Sequence, residues 1–512
     1  MLNFDKQITD KFNIRAVAGV NIFTVDYNSI NASTNGGLNV PRLYALSNTK
    51  DAMVAPAESE YYRRTDGYYI NASLGWDNTL FLDASYRYDI SSTLPTDSNG
   101  YGYYGVSGSF LFSSLFNSNF ISLGKLRAGY AVTGNSAPPL SVYNTYDLLT
   151  PMGGQGNSSL PATNQNPNLK NETSYETEIG LEMSMFKNRL GFDLSVYDKT
   201  SEDLITPVSI TSATGFGAQW LNAGTVQNRG VELSLWGSPV RTSNFEWRID
   251  VNWAKNESEV ISLPQGLDNL LLANTQAVSI NATVGEPYGT IQGSDFVYTN
   301  GERTINEFGR YVRTSSQTNV LGNFQPDWKG GINNRFTYKN LSLSFLIDVQ
   351  QGGSVFSLDT WYGYGTGVYQ VTAGLNELGN PKRDPVTDGP DSGGIILQGV
   401  QADGTPNTTR TRMDYYANAL GWTRAPHALH VYDADYVKLR ELSISYSLNP
   451  KVFRGYIQGM TFTALGRNLW IIDKSMPHSD PEAGLTAGNV QGHQSGAYPT
   501  TKDIGFSVKI EF

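Results

Sequence analysis

The chain has 512 residues, of which 12% are aromatic and only 16% are charged, and its formal net charge at pH 7 is −10. An acidic chain lacks the basic stripe that nucleic-acid binders present, so we expect no nucleic-acid partner. The lack of cysteine in the sequence excludes disulfide scaffolds, thiolate metal sites and cysteine nucleophiles.

Period-two alternation of apolar and polar residues is the dominant pattern, and it predicts strands with one apolar face and one wet face. Many of these runs reach about 10 residues, which is longer than an ordinary soluble strand and matches a tilted strand that crosses a bilayer. We count roughly fourteen or fifteen such strands. In chain order they lie near 13–26, 67–76, 80–89, 102–113, 122–134, 172–186, 190–197, 224–237, 245–254, 327–339, 341–350, 435–448, 458–471 and 504–512.

The connections between these runs alternate between short and long. Tight turns are predicted at 187–188 and 241–243. Short turns at one end and long extracellular loops at the other are typical of outer-membrane barrels. No helix is strongly indicated, and near Arg440 the apolar positions change from odd to even, which predicts a β-bulge. The long connections are predicted at about 27–63, 135–170, 260–287 and 353–430.

Aromatic residues cluster near the ends of the predicted strands, as in the girdles of membrane barrels. The polar positions of the strands are expected to line a lumen, because a charge that faces lipid costs roughly 2–4 kcal/mol at mid-membrane. The expected lumen-facing residues include Arg248, Asp250, Asn252, Ser342, Ser344, Asp348 and Lys509.

Several short phrases, in order along the whole chain, resemble SusC-like TonB-dependent transporters of the SusC/RagA family. The resemblance rests on the phrases as an ordered set, since each one alone is weak. The phrases are Tyr86–Ser92, Lys125–Tyr130 with Thr133–Asn135, Asn166–Lys170, Asn222–Gly224 with Asn228–Glu232, Tyr436–Arg440, Gly466–Leu469 and Asp480–Glu482.

The resemblance implies an all-β fold, an antiparallel transmembrane β-barrel in the Gram-negative outer membrane with long extracellular loops. The chain would supply about 14–15 strands of a barrel of about 22 strands. Residues 1–512 are then expected to be the C-terminal part of the barrel, without the signal peptide, the TonB-contacting segment and the plug domain. The implied activity is TonB-dependent import of glycans, oligosaccharides or peptides, with a SusD-like surface lipoprotein as partner and the TonB complex acting through the N-terminal part.

Two other functions are compatible with the pattern. One is a TonB-dependent siderophore or vitamin receptor of another branch. The other, of a different class, is a soluble cell-surface glycan-binding β-protein. An enzyme is not expected, because no catalytic constellation stands out.

Aromatic side chains crowd the long connection 353–430 and are our candidates for substrate contact, because ring faces stack on sugars and contact peptides. They are Trp361, Tyr362, Tyr364 and Tyr369. The segment Gly363–Gly367 lacks the Lys-Ser/Thr pair of a phosphate-binding loop and is expected to be a plain loop. His427 and His430 have no third ligand in the sequence pattern, so neither a metal nor a cofactor is expected.

The final run alternates without a break from Ile504 to Phe512. A terminal strand that ends in Phe resembles the signal read by the outer-membrane insertion machinery. We therefore expect Phe512 to act in assembly rather than in transport.

Overall fold

Fifteen strands form one antiparallel sheet in which each strand pairs with its neighbours along the chain. The computed structural model describes residues 1–414, 418–421, 424–448, 457–484, 488 and 491–512. We call this sheet the wall. Its strands are β1 (Leu2–Thr9), β2 (Phe12–Asn31), β3 (Ala57–Trp76), β4 (Leu80–Ser91), β5 (Gly100–Phe110), β6 (Ile121–Asn135), β7 (Glu172–Met185), β8 (Leu190–Glu202), β9 (Thr225–Arg241), β10 (Phe245–Ser262), β11 (Trp328–Tyr338), β12 (Leu341–Gln351), β13 (Tyr436–Leu448), β14 (Gly459–Lys474) and β15 (Asp503–Glu511).

All fourteen strands predicted from alternation are present, and the all-β antiparallel class is confirmed. The strand that was missed is β1, where Lys6 interrupts the apolar positions of Leu2, Phe4 and Ile8. The predicted β-bulge is also confirmed, because Leu439 pairs with Trp470 and Glu441 with Arg467, so the register skips Arg440.

Seven connections leave the wall at one end, which we call the loop end, and six of them are longer than 20 residues, whereas the connections at the other end have ten residues or fewer. The alternation of short and long connections is therefore confirmed. Two boundaries were wrong. Strands β2 and β3 are 20 residues each and pair over their full length, so both ends of the predicted connection 27–63 are strand. The connection predicted at 260–287 extends to 327. The connections at the loop end are 32–56, 92–99, 136–171, 203–224, 263–327, 352–435 and 475–502, of which 92–99 is short.

The connections carry secondary structure of their own. The expectation of no helix was wrong, because α1 spans Leu358–Thr366. Among the described residues, no helix is long and apolar enough to cross a membrane. Short 3₁₀ helices span Leu46–Asn48, Thr96–Ser98, Phe112–Leu115, Ser212–Thr214, Pro264–Gly266, Gln370–Thr372 and His427–His430. Further strands span Asn35–Leu38, Thr49–Asp51, Asp147–Met152, Gln155–Ser159, Thr163–Asn164, Ile205–Ser209, Ala218–Asn222, Asn269–Thr275, Val278–Thr283, Thr290–Gly293, Tyr298–Thr299, Glu302–Arg303, Asn319–Asn323, Ser354–Ser357, Ile395–Ile396, Arg410–Thr411, Val431–Asp433 and His493–Gln494.

The register keeps apolar residues on one face of the wall, the outer face, and polar residues on the other, the inner face. On the outer face, the ring of Phe336 stacks on Trp247 at 5.7 Å and on Phe345 at 6.3 Å between centroids. On the inner face, the Nη1 atom of Arg127 lies 2.8 Å from Asp193 on the strand two places along the wall. The seven residues expected to face a lumen all share the inner face.

Strand β10 shows where the apolar band of the outer face ends. Two tryptophans flank two aliphatic residues, and the next two outer positions toward the loop end form an ion pair, Lys255 Nζ to Glu257 Oε1, at 2.7 Å. Tryptophan is the side chain preferred at a membrane interface. The seven residues from Trp247 to Trp253 therefore form the apolar band of this strand, with an interfacial tryptophan at each end. In order, the outer positions are Trp247, Ile249, Val251, Trp253, Lys255 and Glu257.

The outer face is exposed although it is apolar. Soluble monomers rarely expose a contiguous apolar patch of more than a few hundred Å². The fully buried side chains instead lie mostly in the long connections, which have cores of their own. The outer face thus has the character of a lipid-facing surface. Its exposed aliphatic residues include Val20, Ile70, Leu82, Val106, Leu126, Ile179, Val196, Leu343, Ile444 and Val508.

The two faces predict opposite tolerance to charge. Ile249→Arg and Phe345→Arg place a charge in the lipid band, at a cost of about 2–4 kcal/mol, and should lower outer-membrane levels of the full-length protein. Asp250→Asn and Ser344→Arg change the inner face and should leave those levels near the parental value. Immunoblotting of outer-membrane fractions measures the difference, and equal losses in both pairs would contradict the assignment of faces.

Candidate functional site

Two of the sequence phrases that are far apart in the chain meet on the inner face at the loop end. Lys438 of β13 has a side chain that is only 4% exposed, and its Nζ lies 2.6 Å from Asp480 Oδ1 and 2.5 Å from Glu482 Oε2. Tyr436 donates a hydrogen bond of 3.0 Å to Glu482 Oε1. We call this group of residues, with Arg440 and Asp348, the ion-pair network.

The β-bulge places Arg440 in the ion-pair network. Its Nε donates to Asp348 Oδ2 at 2.9 Å, and its Nη1 lies 2.9 Å from Glu482 Oε2. A residue skipped by the strand register is free to direct its side chain away from the pleat. The guanidinium thereby links strand β12 to the last long connection, 475–502.

Both carboxylates of that connection remain ionised despite their burial. Burial alone would raise the pKa of Asp480, but hydrogen bonds from Lys438 and Thr500 outweigh it, and the pKa is lowered. Burial alone would also raise the pKa of Glu482, but hydrogen bonds from Arg440 and Lys438 outweigh it, and this pKa is lowered too. The ion-pair network therefore holds connection 475–502 against the wall by charge-assisted hydrogen bonds.

Removing the buried cation should release this connection. Lys438→Met leaves Asp480 buried with one partner fewer, and breaking a buried pair costs about 3–5 kcal/mol. We expect faster amide hydrogen exchange across 475–502 in the full-length protein. The matched control is Lys199→Met. Lys199 is half-exposed, and its Nζ lies as far as 3.9 Å from Glu176 Oε2, so this ion pair contributes little. Equal exchange in the two variants would contradict the role of Lys438.

The segment Gly363–Gly367, expected to be a loop, belongs largely to helix α1. The Ser357 side chain caps the helix by accepting from the Thr360 N–H at 3.1 Å, and Gly367 ends it with φ +73°. Gly363 and Gly365 are poor helix formers, which hid the helix from sequence reasoning. Packing of Leu358 and Trp361 into a buried core offsets that weak propensity.

The four aromatic substrate candidates occupy different environments. Trp361 is 6% exposed and packs against Val278, Ile280 and Phe356, so its ring faces protein. Tyr362 is half-buried and donates a hydrogen bond to Gln276. No observation tests their contact with substrate, which stays a prediction.

Tyr364 and Tyr369 form an aromatic cluster with two histidines. The rings of Tyr364 and Tyr369 meet edge to face at 5.7 Å, and Tyr369 stacks on His478 at 4.0 Å. Tyr364 also lies 5.6 Å from His430. The structure thus brings two of the four candidates together with connection 475–502, a link that sequence spacing does not show.

His427 and His430 lie on one buried 3₁₀ helix. His427 Nδ1 accepts from the Ser294 N–H at 3.3 Å, and His430 Nδ1 lies 3.1 Å from Thr360 Oγ1. Burial lowers the pKa of His427 to about 4 and that of His430 to about 3, so both are neutral at pH 7. The described part of the chain contains no group of three or more His, Asp or Glu residues that could hold a metal ion.

A cavity of about 400 Å³ lies beside the ion-pair network, between the rim of the wall and connection 475–502. Its lining is rich in amide and charged groups, which can hydrogen-bond sugar hydroxyls or peptide groups. The cavity was missed from the sequence, because its lining comes from four separate segments that no local pattern connects. Polar lining residues include Lys329, Gln350, Glu482, Gln491 and His493.

Comparisons with known proteins agree with this architecture. The family described as TonB dependent receptor-like, beta-barrel matches residues 2–345. TonB-dependent receptor P26 of Formosa agariphila is 26% identical over 100% of this chain and 52% of its own length. TonB-dependent receptor SusC of Bacteroides thetaiotaomicron is 27% identical over 46% of this chain and 26% of its own length.

A solved structure of the RagAB peptide transporter covers 100% of this chain and 54% of its own chain, with a TM-score of 0.78 and 21% identity. That likeness supports the fold, an antiparallel barrel. The chain spans about half the length of the P26 receptor and of the RagAB chain. The resemblance to SusC and the outer-membrane location expected from the sequence are confirmed. This chain belongs to the TonB-dependent receptor β-barrel family.

Proposed function

We propose that this chain forms much of the barrel of a TonB-dependent importer of oligomeric nutrients, oligosaccharides or peptides, and that it catalyses no reaction. The observation that carries the proposal is the polar inner face of the wall, which leads to seven connections at one end, six of them long. Substrate passes along this inner face, where carboxylates, guanidiniums and hydroxyls replace water as hydrogen-bonding partners. One such group is Arg127, whose guanidinium contacts Asp193, Glu178 and Ser195.

The proposed partners follow from the two ends of the wall. A SusD-like surface lipoprotein covers the loop end, and the TonB complex acts through a part of the full-length protein outside this chain. Outer-membrane lipid covers the outer face. The name of SusC, a TonB-dependent receptor, supports the TonB complex as a partner.

We further propose that this chain supplies only part of the strands of its barrel. Strands β1 and β15 pair on one side only, and every residue in both is exposed. Unpaired strand edges are not tolerated in hydrocarbon, so further strands must pair with both edges in the membrane.

Uptake in the native bacterium tests the transport function. Deleting the full-length gene should abolish uptake of a labelled oligosaccharide or peptide that supports growth of the parent, and a TonB deletion should have the same effect. Restoring the gene should restore uptake. A growth defect confined to iron or cobalamin limitation would instead show a siderophore or vitamin receptor and overturn the proposal.

Deletion of Phe512 tests whether this residue acts in assembly of the protein into the membrane. Its side chain is 83% exposed at the end of the edge strand β15, so deleting it should cost little equilibrium stability. If it acts as an insertion signal, deletion should still slow membrane insertion severely in a pulse-chase of the full-length protein. Phe506→Ala is the matched control, because Phe506 is also exposed on β15. Parental insertion rates in both variants would contradict the role of Phe512.

A further inference from the structure

A row of aromatic side chains follows the inner face of the wall along strands β2 to β5. Strands β2 and β3 pair from Phe12 to Asn31 without a bulge, so the odd-numbered residues of both strands share one face. Val20 and Ile70, at even positions, lie on the outer face, which places the odd-numbered residues on the inner face. We call the aromatic residues of this row the aromatic track: Phe23, Tyr27, Tyr61, Tyr69 and Tyr103.

The part of the aromatic track nearest the loop end lies beyond the lipid band. On the outer face of the same hairpin the positions after Ile22 become polar, and Arg64 Nε pairs with Asp66 Oδ1 at 2.8 Å. On the inner face, the rings of Tyr27 and Tyr61 stack across the hairpin, with centroids 4.8 Å apart and 15° between their planes. Tyr27 is 42% exposed. A solute from outside the cell therefore reaches this pair first.

A cation lies beside each of the next two rings. The guanidinium carbon of Arg63 lies 5.7 Å from the centre of the Phe23 ring, which is itself 50% exposed. The guanidinium carbon of Arg87 lies 6.0 Å from the centre of the Tyr69 ring, and its Nε pairs with Asp89 at 2.7 Å. By contrast, no carboxylate oxygen of the described residues lies within 4.0 Å of Arg63. Arg63 Nε is buried without a hydrogen-bond partner in that part of the chain, so Arg63 keeps donors for a group that the chain does not supply.

A glycine and the strand register position the other two rings. A Cβ at Gly19 would lie 2.5 Å from Tyr69 Oη, so this glycine lets the Tyr69 ring lie across strand β2. Tyr69 pairs with Arg87, and Arg87 pairs with Tyr103, which brings Tyr103 to the same level two strands along the wall. Asn171 Nδ2 donates to Tyr103 Oη at 2.8 Å and fixes that ring.

We propose that the aromatic track is a binding site for an oligosaccharide that enters at the loop end, with sugar rings stacked on its aromatic rings and hydroxyls bonded to Arg63. A sugar ring has an apolar C–H face and polar edges, which fit an aromatic ring flanked by a guanidinium. Residues 19–27 of β2 span about 26 Å, so the track accommodates several sugars rather than one. The inference rests on the proposed function, since it names the site and the substrate class of the same importer.

The surroundings of the aromatic track favour a sugar over a peptide. An extended peptide binds by pairing with an open strand edge, but β2 to β5 are each paired on both sides. The inner positions between the rings are mostly small or polar, so they do not offer the apolar pockets that peptide side chains need. Apart from Val25 and the two arginines, these positions on β2 and β3 are Gly19, Asn21, Thr65 and Gly67.

Two adjacent tyrosines on opposite faces of β3 give a matched test. The full-length receptor, purified in detergent, is titrated by calorimetry with maltohexaose, cellohexaose and laminarihexaose, with the corresponding disaccharides, and with a hexapeptide of alanine and tryptophan. We expect at least one hexasaccharide to bind, and to bind more tightly than its disaccharide. Tyr61→Ala should weaken that binding about fivefold, because an aromatic contact is lost, whereas Tyr62→Ala, on the outer face, should leave it unchanged. Tyr61→Phe keeps the ring and should retain binding.

Thermal stability separates a binding role from a packing role. Arg63→Gln removes an unpaired cation, so it should weaken hexasaccharide binding and leave the Tm near the parental value. A lower Tm of Tyr61→Ala with unchanged affinity would show that the stacked pair only holds the hairpin, and would overturn the site. Equal losses of affinity in Tyr61→Ala and Tyr62→Ala, or no binding of any hexasaccharide, would overturn it as well. If deletion of the gene left uptake intact while a hexasaccharide still bound through Tyr61, the transport function would fail and the binding site would stand.

Discussion

The outer face of the wall has an apolar surface but no protein to pack against. A sheet that is hydrophobic on one face must bury that face, and here the only medium that can cover it is lipid. This constraint sets the strict alternation of the strands, because a slip of one residue would bring the inner charges into hydrocarbon. It also explains the height of the apolar band on β10, from Trp247 to Trp253, where the outer positions turn to charge just beyond the second tryptophan.

Because of the same constraint, most of the protein's buried core lies in the connections. Most of the fully buried apolar residues in the described part of the chain therefore lie in the connections at the loop end, such as Phe356, Ile291 and Met413. The connections must then be tied to the wall by polar contacts. Lys438 and the bulged Arg440 supply them, and the desolvation of Lys438 is offset by two carboxylates from connection 475–502.

Sequence reasoning found what depends on local periodicity. The fourteen alternating strands and the bulge at Arg440 follow from the local order of apolar and polar residues, and the structure confirms them. Features that depend on packing between distant segments were not found. Helix α1 has two internal glycines and forms only because Leu358 and Trp361 pack into a core built by another connection. The aromatic candidates were grouped because they lie close together in one connection, whereas in the structure Trp361 faces a core and Tyr364 and Tyr369 meet His430 and His478.

Arginine shows how charge is used differently in the two parts of the molecule. On the wall, Arg127 and Arg440 each contact carboxylates from neighbouring strands or from a connection, so their charge is satisfied within the fold. In the connections, no carboxylate oxygen of the described residues lies within 4.0 Å of Arg310 or Arg424. A fold that pairs its cations elsewhere gains no stability from leaving these unpaired, because like charges repel and a buried N–H without a partner is costly.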